Sequence, residues 1–320
     1  GAQHQLAVGV ADRMHVRGQL RPGRFAPGGG NFRQACDIRR HAELAQGKRC
    51  NEVANSFGAM KAHDRQFTLC ADIFLRRNTY TGGMDSTAII AANLERLRAA
   101  ITDAARRAGR HPDDVKLIAV SKTQPVEAVA AAVAAGQRLF GENTVQEALT
   151  KIPHFADQGL EWHFIGHLQS NKVRFIPGNF AWVHSLDGVK LAQRLARLAH
   201  EQNSTVNALI EVNITRDPAK HGLPPEALAP LLDTLLKEGH PGLHLRGLMT
   251  IGPHPATQAD SRASFARLRE LRDACQQRFG LKDFTELSMG MSGDYAAAIQ
   301  EGSTMVRIGA AIFGERDYSE

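Results

Sequence analysis

The sequence predicts an α/β chain folded as a single (β/α)8 TIM barrel over residues 84–320, preceded at 1–83 by an extension that does not conform to it. Three observations point to this class. After Met84, eight short apolar runs alternate with helical patterns, as in βα units that feed a parallel sheet. The first run is followed by "SKTQP", not by the glycine-rich turn of an open doubly wound sheet. Polar residues and glycines recur at the carboxyl ends of the runs, where such barrels collect their chemistry.

The elements follow in order. Ile90, Leu94, Leu97, Ile101, Ala105 and Ala108 keep helical spacing until Gly109 ends the run. Strands are predicted at Lys116–Val120, Arg138–Phe140, Trp162–Ile165, Trp182–His184, Ala208–Val212, Leu245–Met249, Thr285–Leu287 and Met305–Ile308. Val126, Val129, Ala130 and Val133 form a helical stripe between Pro125 and Gly136. Val189, Leu195 and Leu198 mark another helix. "PPEALAPLLDTLLKEG" and "SRASFARLRELRDACQQRFG" give two more, each closed by glycine. Only "AIFGERDYSE" follows the eighth strand, so the helix at 89–108 is expected to cover part of the outer wall.

Residues 1–83 have no sustained hydrophobic period and carry a turn signal from Pro27 to Gly30. Such a stretch buries too little apolar surface to offset its ordering entropy. It reads as a disordered or non-native leader, with the working chain starting near Met84. It lacks the pattern of a secretory signal. The chain has 320 residues and a net charge of +6, but the charge is unevenly placed. Residues 1–83 hold 13 Lys/Arg against 6 Asp/Glu; of the chain's 39 and 33, that leaves 26 against 27 for the rest. A neutral barrel carries no nucleic-acid footprint. No apolar run approaches the roughly 18 residues of a membrane span. Three of the cysteines, Cys36, Cys50 and Cys70, lie in the extension, and Cys275 is the fourth; no spacing suggests zinc. A reducing cytoplasm is the expected setting.

Read in order, the strand ends are "SK", "GEN", "GHLQSNK", "HSLD", "EVN", "MTIG", "SMGMSGD" and "VRIG". Lys122 ends the first. Desolvation there favours the neutral amine, a nucleophile toward carbonyls; the plain alternative is a lysine snorkelling from a strand end. "SMGMSGDY" sets Ser288 and Ser292 among glycines before a short helix, either as anion donors or as a capped turn. With the glycine-bearing turn at Gly309 after strand eight, two such turns facing a strand-one lysine fit a phosphorylated aldehyde. Arg307 points inward either as an ion-pair partner or as a donor to a pyridine nitrogen. Asn143 is a candidate to bond a cofactor or to orient Lys122. His167, at i,i+4 from His163 with no glutamate between them, reads as structural or as a cofactor contact, not as a metal ligand. Asn213 closes a turn or reaches the site, and Met249 packs in the core or against a ring.

"LIAVSKTQP", "FGENTVQEA", "WHFIGHLQSNK", "SMGMSGDY" and "VRIGAAIFG" closely resemble the pyridoxal 5′-phosphate homeostasis proteins, whose barrel is similar to the amino-terminal domain of alanine racemase. The resemblance spans about residues 86–318. It implies a covalent aldimine at Lys122, a ring-nitrogen contact at Arg307, a phosphate site at Ser288, Ser292 and Gly309, and a role for Asn143. Thr144 and Ala310 depart from it, standing where tyrosine and threonine are common.

The resemblance implies a carrier that holds pyridoxal 5′-phosphate, passes it to apo-enzymes that depend on it, and influences vitamin B6 and amino-acid balance. The alternative is an amino-acid racemase, which needs an acid/base on each face of Cα. In racemases a tyrosine from a second domain supplies one of them. The barrel is expected to fill 84–320 and leave no room for that domain. The tyrosines are Tyr80, Tyr295 and Tyr318, none at a strand end that faces Lys122. The sequence therefore favours a monomeric carrier without robust turnover.

Overall fold

The structure is a computed structural model that describes residues 86–253 and 256–314. The extension at 1–83, Met84, Tyr80, Tyr318 and the first three cysteines lie outside the described residues. Eight parallel strands close into a barrel in chain order. They are β1 Lys116–Val120, β2 Leu139–Glu142, β3 Glu161–Phe164, β4 Trp182–Leu186, β5 Val206–Glu211, β6 Leu243–Met249, β7 Glu286–Ser288 and β8 Met305–Ile308. The α-helices are α1 Ser86–Arg107, α2 Val126–Ala134, α3 Val145–Lys151, α4 Val189–Glu201, α5 Leu228–Glu238, α6 Gln258–Phe279, α7 Tyr295–Gln300 and α8 Ala310–Phe313.

Alternation along the strands divides each between two environments. Ile118, Trp182, Leu209, Met249 and Met305 meet inside the barrel. Their neighbours Ala119, Val183, Ala208, Ile210, Leu248 and Val306 face outward into the larger core beneath the helices. At the amino end of the barrel Lys116 Nζ pairs with Glu286 Oε1 at 3.0 Å and lies 5.5 Å from the Trp182 ring centroid.

The helix before β1 completes the outer wall, as the sequence suggests. The helix after β8, α8, has only four residues. α1 fills the gap by packing against α2, α7 and α8. It buries Ile90, Leu94, Leu97, Ile101, Ala104 and Ala105, the stripe seen in the sequence. Asn93 Nδ2 donates to Ile312 O at 2.8 Å and Arg98 Nη1 to Ala135 O at 2.8 Å, so α1 is tied to both neighbours.

Two differences from the sequence reading matter for the site. β2, β4 and β7 run further toward their carboxyl ends than predicted, to Glu142, Leu186 and Ser288. The ladder is made by backbone groups, so it continues past the first polar side chain where an apolar run stops. The helix α3 is also absent from the sequence reading. Its buried residues are Val145, Ala148 and Lys151, so one member of the apolar stripe is a lysine and the period is masked. Between β3 and β4 the described chain has no α-helix, only a 3-10 turn at Val173–Phe175. Among the described residues no helix is long and apolar enough to cross a membrane.

Leu94 is fully buried in the α1 interface. Leu94→Ala is expected to cost about 2–5 kcal/mol in urea unfolding, the range for a core leucine left as a cavity. A loss within roughly 0.5 kcal/mol would mean that α1 is an appendage and not part of the wall.

Candidate cofactor site at the carboxyl end of the barrel

β7, β8 and β1 are neighbours in the sheet, and their carboxyl ends carry most of the predicted residues. Arg307 pairs in register with Ile118, and Ile308 with Ala119. The next residue, Gly309, lies so close to β1 that a Cβ there would stand 3.0 Å from Val120 O. This close approach sets the turn at 309–310 beside the strand end that carries Lys122, which is half-buried. On the other side, Gly166 allows β3 to approach β2: a Cβ there would fall 2.1 Å from Asn143 O.

Arg307 is buried within the barrel mouth. Its Nη1 donates to Ser288 Oγ at 2.6 Å and its Nη2 to Thr250 O at 3.0 Å. Burial pulls its pKa down to about 10, against the opposing charges of Glu211 and Asp294, so it remains a cation at neutral pH. A chain of hydrogen bonds continues from Ser288. His184 Nδ1 lies 2.8 Å from Ser288 Oγ, His184 Nε2 lies 2.9 Å from His163 Nδ1, and His163 Nε2 lies 3.0 Å from Glu161 Oε1. The network assigns both tautomers. The Glu161 carboxylate can only accept, so a neutral His163 accepts at Nδ1 and a neutral His184 at Nδ1; Ser288 gives its single proton there and accepts from Arg307, which can only donate. His184 must then donate from Nε2 to His163, and His163 from Nε2 to the Glu161 carboxylate. The electrostatics agree. Burial lowers the pKa of both histidines, and the hydrogen bond from His163 lowers that of Glu161. Two neutral rings thus link a cation at the mouth to an anion at the amino end of β3.

The one proton of the Ser288 hydroxyl is used in this chain, so it has no donor left for a bound anion and meets the mouth through Arg307. Ser292 is half-buried in the turn after β7. Asp294 does not cap α7 but turns back, its Oδ1 accepting from Met291 N at 2.6 Å. The N–H groups of Ser292, Gly293, Ala310 and Ala311 have no hydrogen-bond acceptor among the described residues. No atom would lie within 4 Å of a Cβ on Gly293. Two turns with unused donors, beside a buried cation and a strand-end lysine, fit a phosphorylated aromatic aldehyde.

Other predicted residues sit differently. The Asn213 amide is spent on its own loop: Nδ2 donates to Asp217 O at 2.8 Å and Oδ1 accepts from Asp217 N at 3.2 Å. It organises the segment that carries His221, whose ring stacks on that of His167 at 3.9 Å between centroids. His167 Nδ1 also faces Asp187 Oδ2 at 3.6 Å, while His163 belongs to the interior chain, so the two histidines of the i,i+4 pair part company. Met249 is buried in the interior cluster and forms floor beneath the mouth. Thr144 accepts from Glu147 N at 3.4 Å and caps α3.

The sequence reading passed over Glu211, the last residue of β5. A carboxylate ending the apolar run "ALIEV" was its signal. Glu211 is buried, and burial, reinforced by Asp187 and opposed by Arg307, raises its pKa to about 7. It also passed over the group behind Lys122. Lys151 is buried and donates to Ser121 O at 2.7 Å, Glu142 Oε1 at 2.9 Å and Glu147 Oε1 at 2.6 Å. Ser121 Oγ donates to Glu142 Oε1 at 2.6 Å. Burial raises the Glu142 pKa, and its Oε2 has no hydrogen-bond partner. Thr123 holds φ +64°, a left-handed conformation that costs a β-branched residue roughly 1–3 kcal/mol.

The barrel matches the family model for the alanine racemase N-terminal domain over residues 92–317. A pyridoxal phosphate homeostasis protein of Vibrio cholerae is 46% identical over 234 residues, 72% of this chain and 98% of that protein. One from Pseudomonas aeruginosa is 49% identical over 229 residues, 72% of this chain and 96% of its own length. The chain belongs to the pyridoxal phosphate homeostasis proteins of the alanine racemase N-terminal-domain family. PipY of Synechococcus elongatus, solved with PLP bound, superposes with a TM-score of 0.63 at 39% identity, covering 70% of this chain and all of its own. Alanine racemase from Corynebacterium glutamicum, at 17% identity and a TM-score of 0.51, shares the fold over 72% of this chain and 62% of its own.

Glu211 predicts a pH dependence. Its pKa rises from 4.5 to about 7 on folding, so between those values the folded chain holds a proton that the unfolded chain has released. Stability from this group is therefore complete below about pH 4.5 and is lost as pH rises through about 7, a change of roughly 3 kcal/mol. In urea unfolding, wild type is expected to lose about that much relative to Glu211→Gln between about pH 4 and pH 8. Parallel pH curves would show that Glu211 is charged and accommodated throughout.

Proposed function

We propose that this chain binds pyridoxal 5′-phosphate, with Lys122 holding the aldehyde as an imine, and serves as a carrier in vitamin B6 and amino-acid balance. The observation that carries the proposal is the contact of Gly309 with Val120 O, which draws the end of β8 against the end of β1. It sets a lysine, a buried arginine and unused backbone donors on adjacent strands. Bound in this way, the cofactor would supply an electron-withdrawing ring and a reactive aldehyde. The residues of the chain have separate tasks. Lys122 is the amine. The turns at 292–293 and 310–311 receive the phosphate through backbone N–H groups, so Ala310 in place of a hydroxyl residue still permits binding. Arg307 faces the ring nitrogen and, as a standing cation, keeps it unprotonated. Asn143 and His167 line the mouth beside the cofactor. Ser288 serves by holding Arg307, and Met249 serves as floor.

An unprotonated ring is a poor electron sink, which favours holding and releasing over carbanion chemistry. A racemase would need a second acid/base opposite Lys122. The described tyrosine, Tyr295, packs against the outer core. The carrier acts as a monomer in the cytoplasm, with apo-enzymes that need the cofactor as recipients. Its working domain is 84–320.

Loaded wild type is expected to transfer cofactor to an apo-enzyme and to show a borohydride-fixed adduct by mass. Lys122→Ala is expected to lose the adduct. An undiminished adduct in that variant would remove Lys122 from the chemistry. Incubation of one amino-acid enantiomer in deuterated water is expected to give no inversion with deuterium at Cα, and clear inversion would establish the racemase instead.

A further inference from the structure

The turn that carries Lys122 is held from behind by a buried ion cluster. Lys122 is joined to its neighbours by two peptide units. The carbonyl of the first, Ser121 O, accepts from Lys151 Nζ at 2.7 Å and from Gln124 N at 3.0 Å. The N–H of the second, on Thr123, donates to Glu147 Oε1. The same Glu147 oxygen lies 2.6 Å from Lys151 Nζ, so one ion pair grips both peptide units. Glu142 completes the cluster, with Oε1 accepting from Lys151 Nζ at 2.9 Å and from Ser121 Oγ at 2.6 Å. Beyond it, Thr123 Oγ1 donates to Lys122 O at 2.6 Å. Backbone rotation at Lys122 would break one of these bonds. Thr123 keeps its left-handed φ of +64° although it is not glycine, as expected where surrounding contacts over-determine the turn.

We propose that Lys151 and Glu147 are positioning residues for Lys122, setting the direction in which its amine leaves β1. The inference rests on Lys122 being the imine former. In that step Lys122 Nζ attacks the aldehyde carbon, a C=N bond replaces C=O, and the carbonyl oxygen leaves as water with the two amine hydrogens. The rate depends on where Nζ stands when the aldehyde arrives, and a displacement of about 1 Å can cost about a hundredfold. The phosphate donors lie on β7 and β8, on the far side of the lysine from α3. The cluster should therefore govern the covalent step and leave the phosphate grip untouched.

Lys151→Met strands the buried Glu142 carboxylate and the half-buried Glu147 and is a poor test, because loss of folding would explain any result. Glu147 is more exposed, and Glu147→Ala leaves Lys151 paired with Glu142. The test compares full-length wild type, Glu147→Ala and Glu147→Gln. Stopped-flow absorbance follows imine formation with pyridoxal 5′-phosphate. Binding of pyridoxine 5′-phosphate, which lacks the aldehyde, measures the phosphate and ring contacts alone. Glu147→Ala is expected to slow imine formation about tenfold or more while its pyridoxine 5′-phosphate Kd stays within about twofold. Glu147→Gln keeps an oxygen for the Thr123 N–H and is expected to recover most of the rate. The proposal is overturned by a wild-type rate in Glu147→Ala, by equal losses of rate and affinity, or by a Gln variant as slow as the Ala variant. A wild-type chain that binds the phosphate but forms no imine overturns the Lys122 assignment itself, a distinct outcome.

Discussion

A guanidinium cannot shed its proton to enter a protein interior, and Arg307 has entered one. Much of the polar architecture of the barrel follows from accommodating that charge. An isolated buried cation is costly, so it must be hydrogen-bonded and balanced. Ser288 and the Thr250 carbonyl take its N–H groups, while Asp294, and Glu211 once it ionises as pH rises through about 7, supply opposing charge. Ser288 can accept from Arg307 and still be satisfied only by donating elsewhere, and His184 is there to receive it. The demand then passes from ring to ring until it ends on Glu161, whose side chain is 42% exposed and can stay ionised. A polar thread through an otherwise apolar barrel is thus the consequence of one charge at its mouth.

The adjacent strand follows the same logic on a smaller scale. Lys122 ends β1, and the turn after it would be free to swing were it not held by Lys151, Glu142 and Glu147. Lys151, buried behind Lys122, binds the carbonyl of Ser121 and two carboxylates. Gly309 lets the ends of β8 and β1 come close, because a side chain at that position would press on the β1 backbone. The loop that brings His221 over His167 is organised by side-chain bonds of Asn213 and Asp217.

Much of this was legible in the residues. β1 and β8 were read with their observed bounds because their runs stop at Ser121 and Gly309, where the strands also end. The role of α1 in the wall was legible from its stripe and from the short tail after β8. The strand ends that carry the candidate residues were legible, since topology alone brings β7, β8 and β1 together. Long-range side-chain bonds were not legible. His163 and His184 look like core histidines in sequence, and only the sheet places them in line with Ser288. Lys151 looks like a surface residue because lysine seldom occupies a buried stripe. Asn213 was read as closing a turn or reaching the site; its amide bonds Asp217 within its own loop, as a short amide beside a turn meets its own backbone first.

The central claim is that a permanent cation at Arg307 faces the cofactor ring and denies it a proton. The direct measurement is the 15N chemical shift of the ring nitrogen in labelled pyridoxal 5′-phosphate bound to the protein at neutral pH. The account predicts the shift of an unprotonated pyridine. The shift of a pyridinium would contradict it, because a protonated ring cannot sit against a guanidinium that is itself charged.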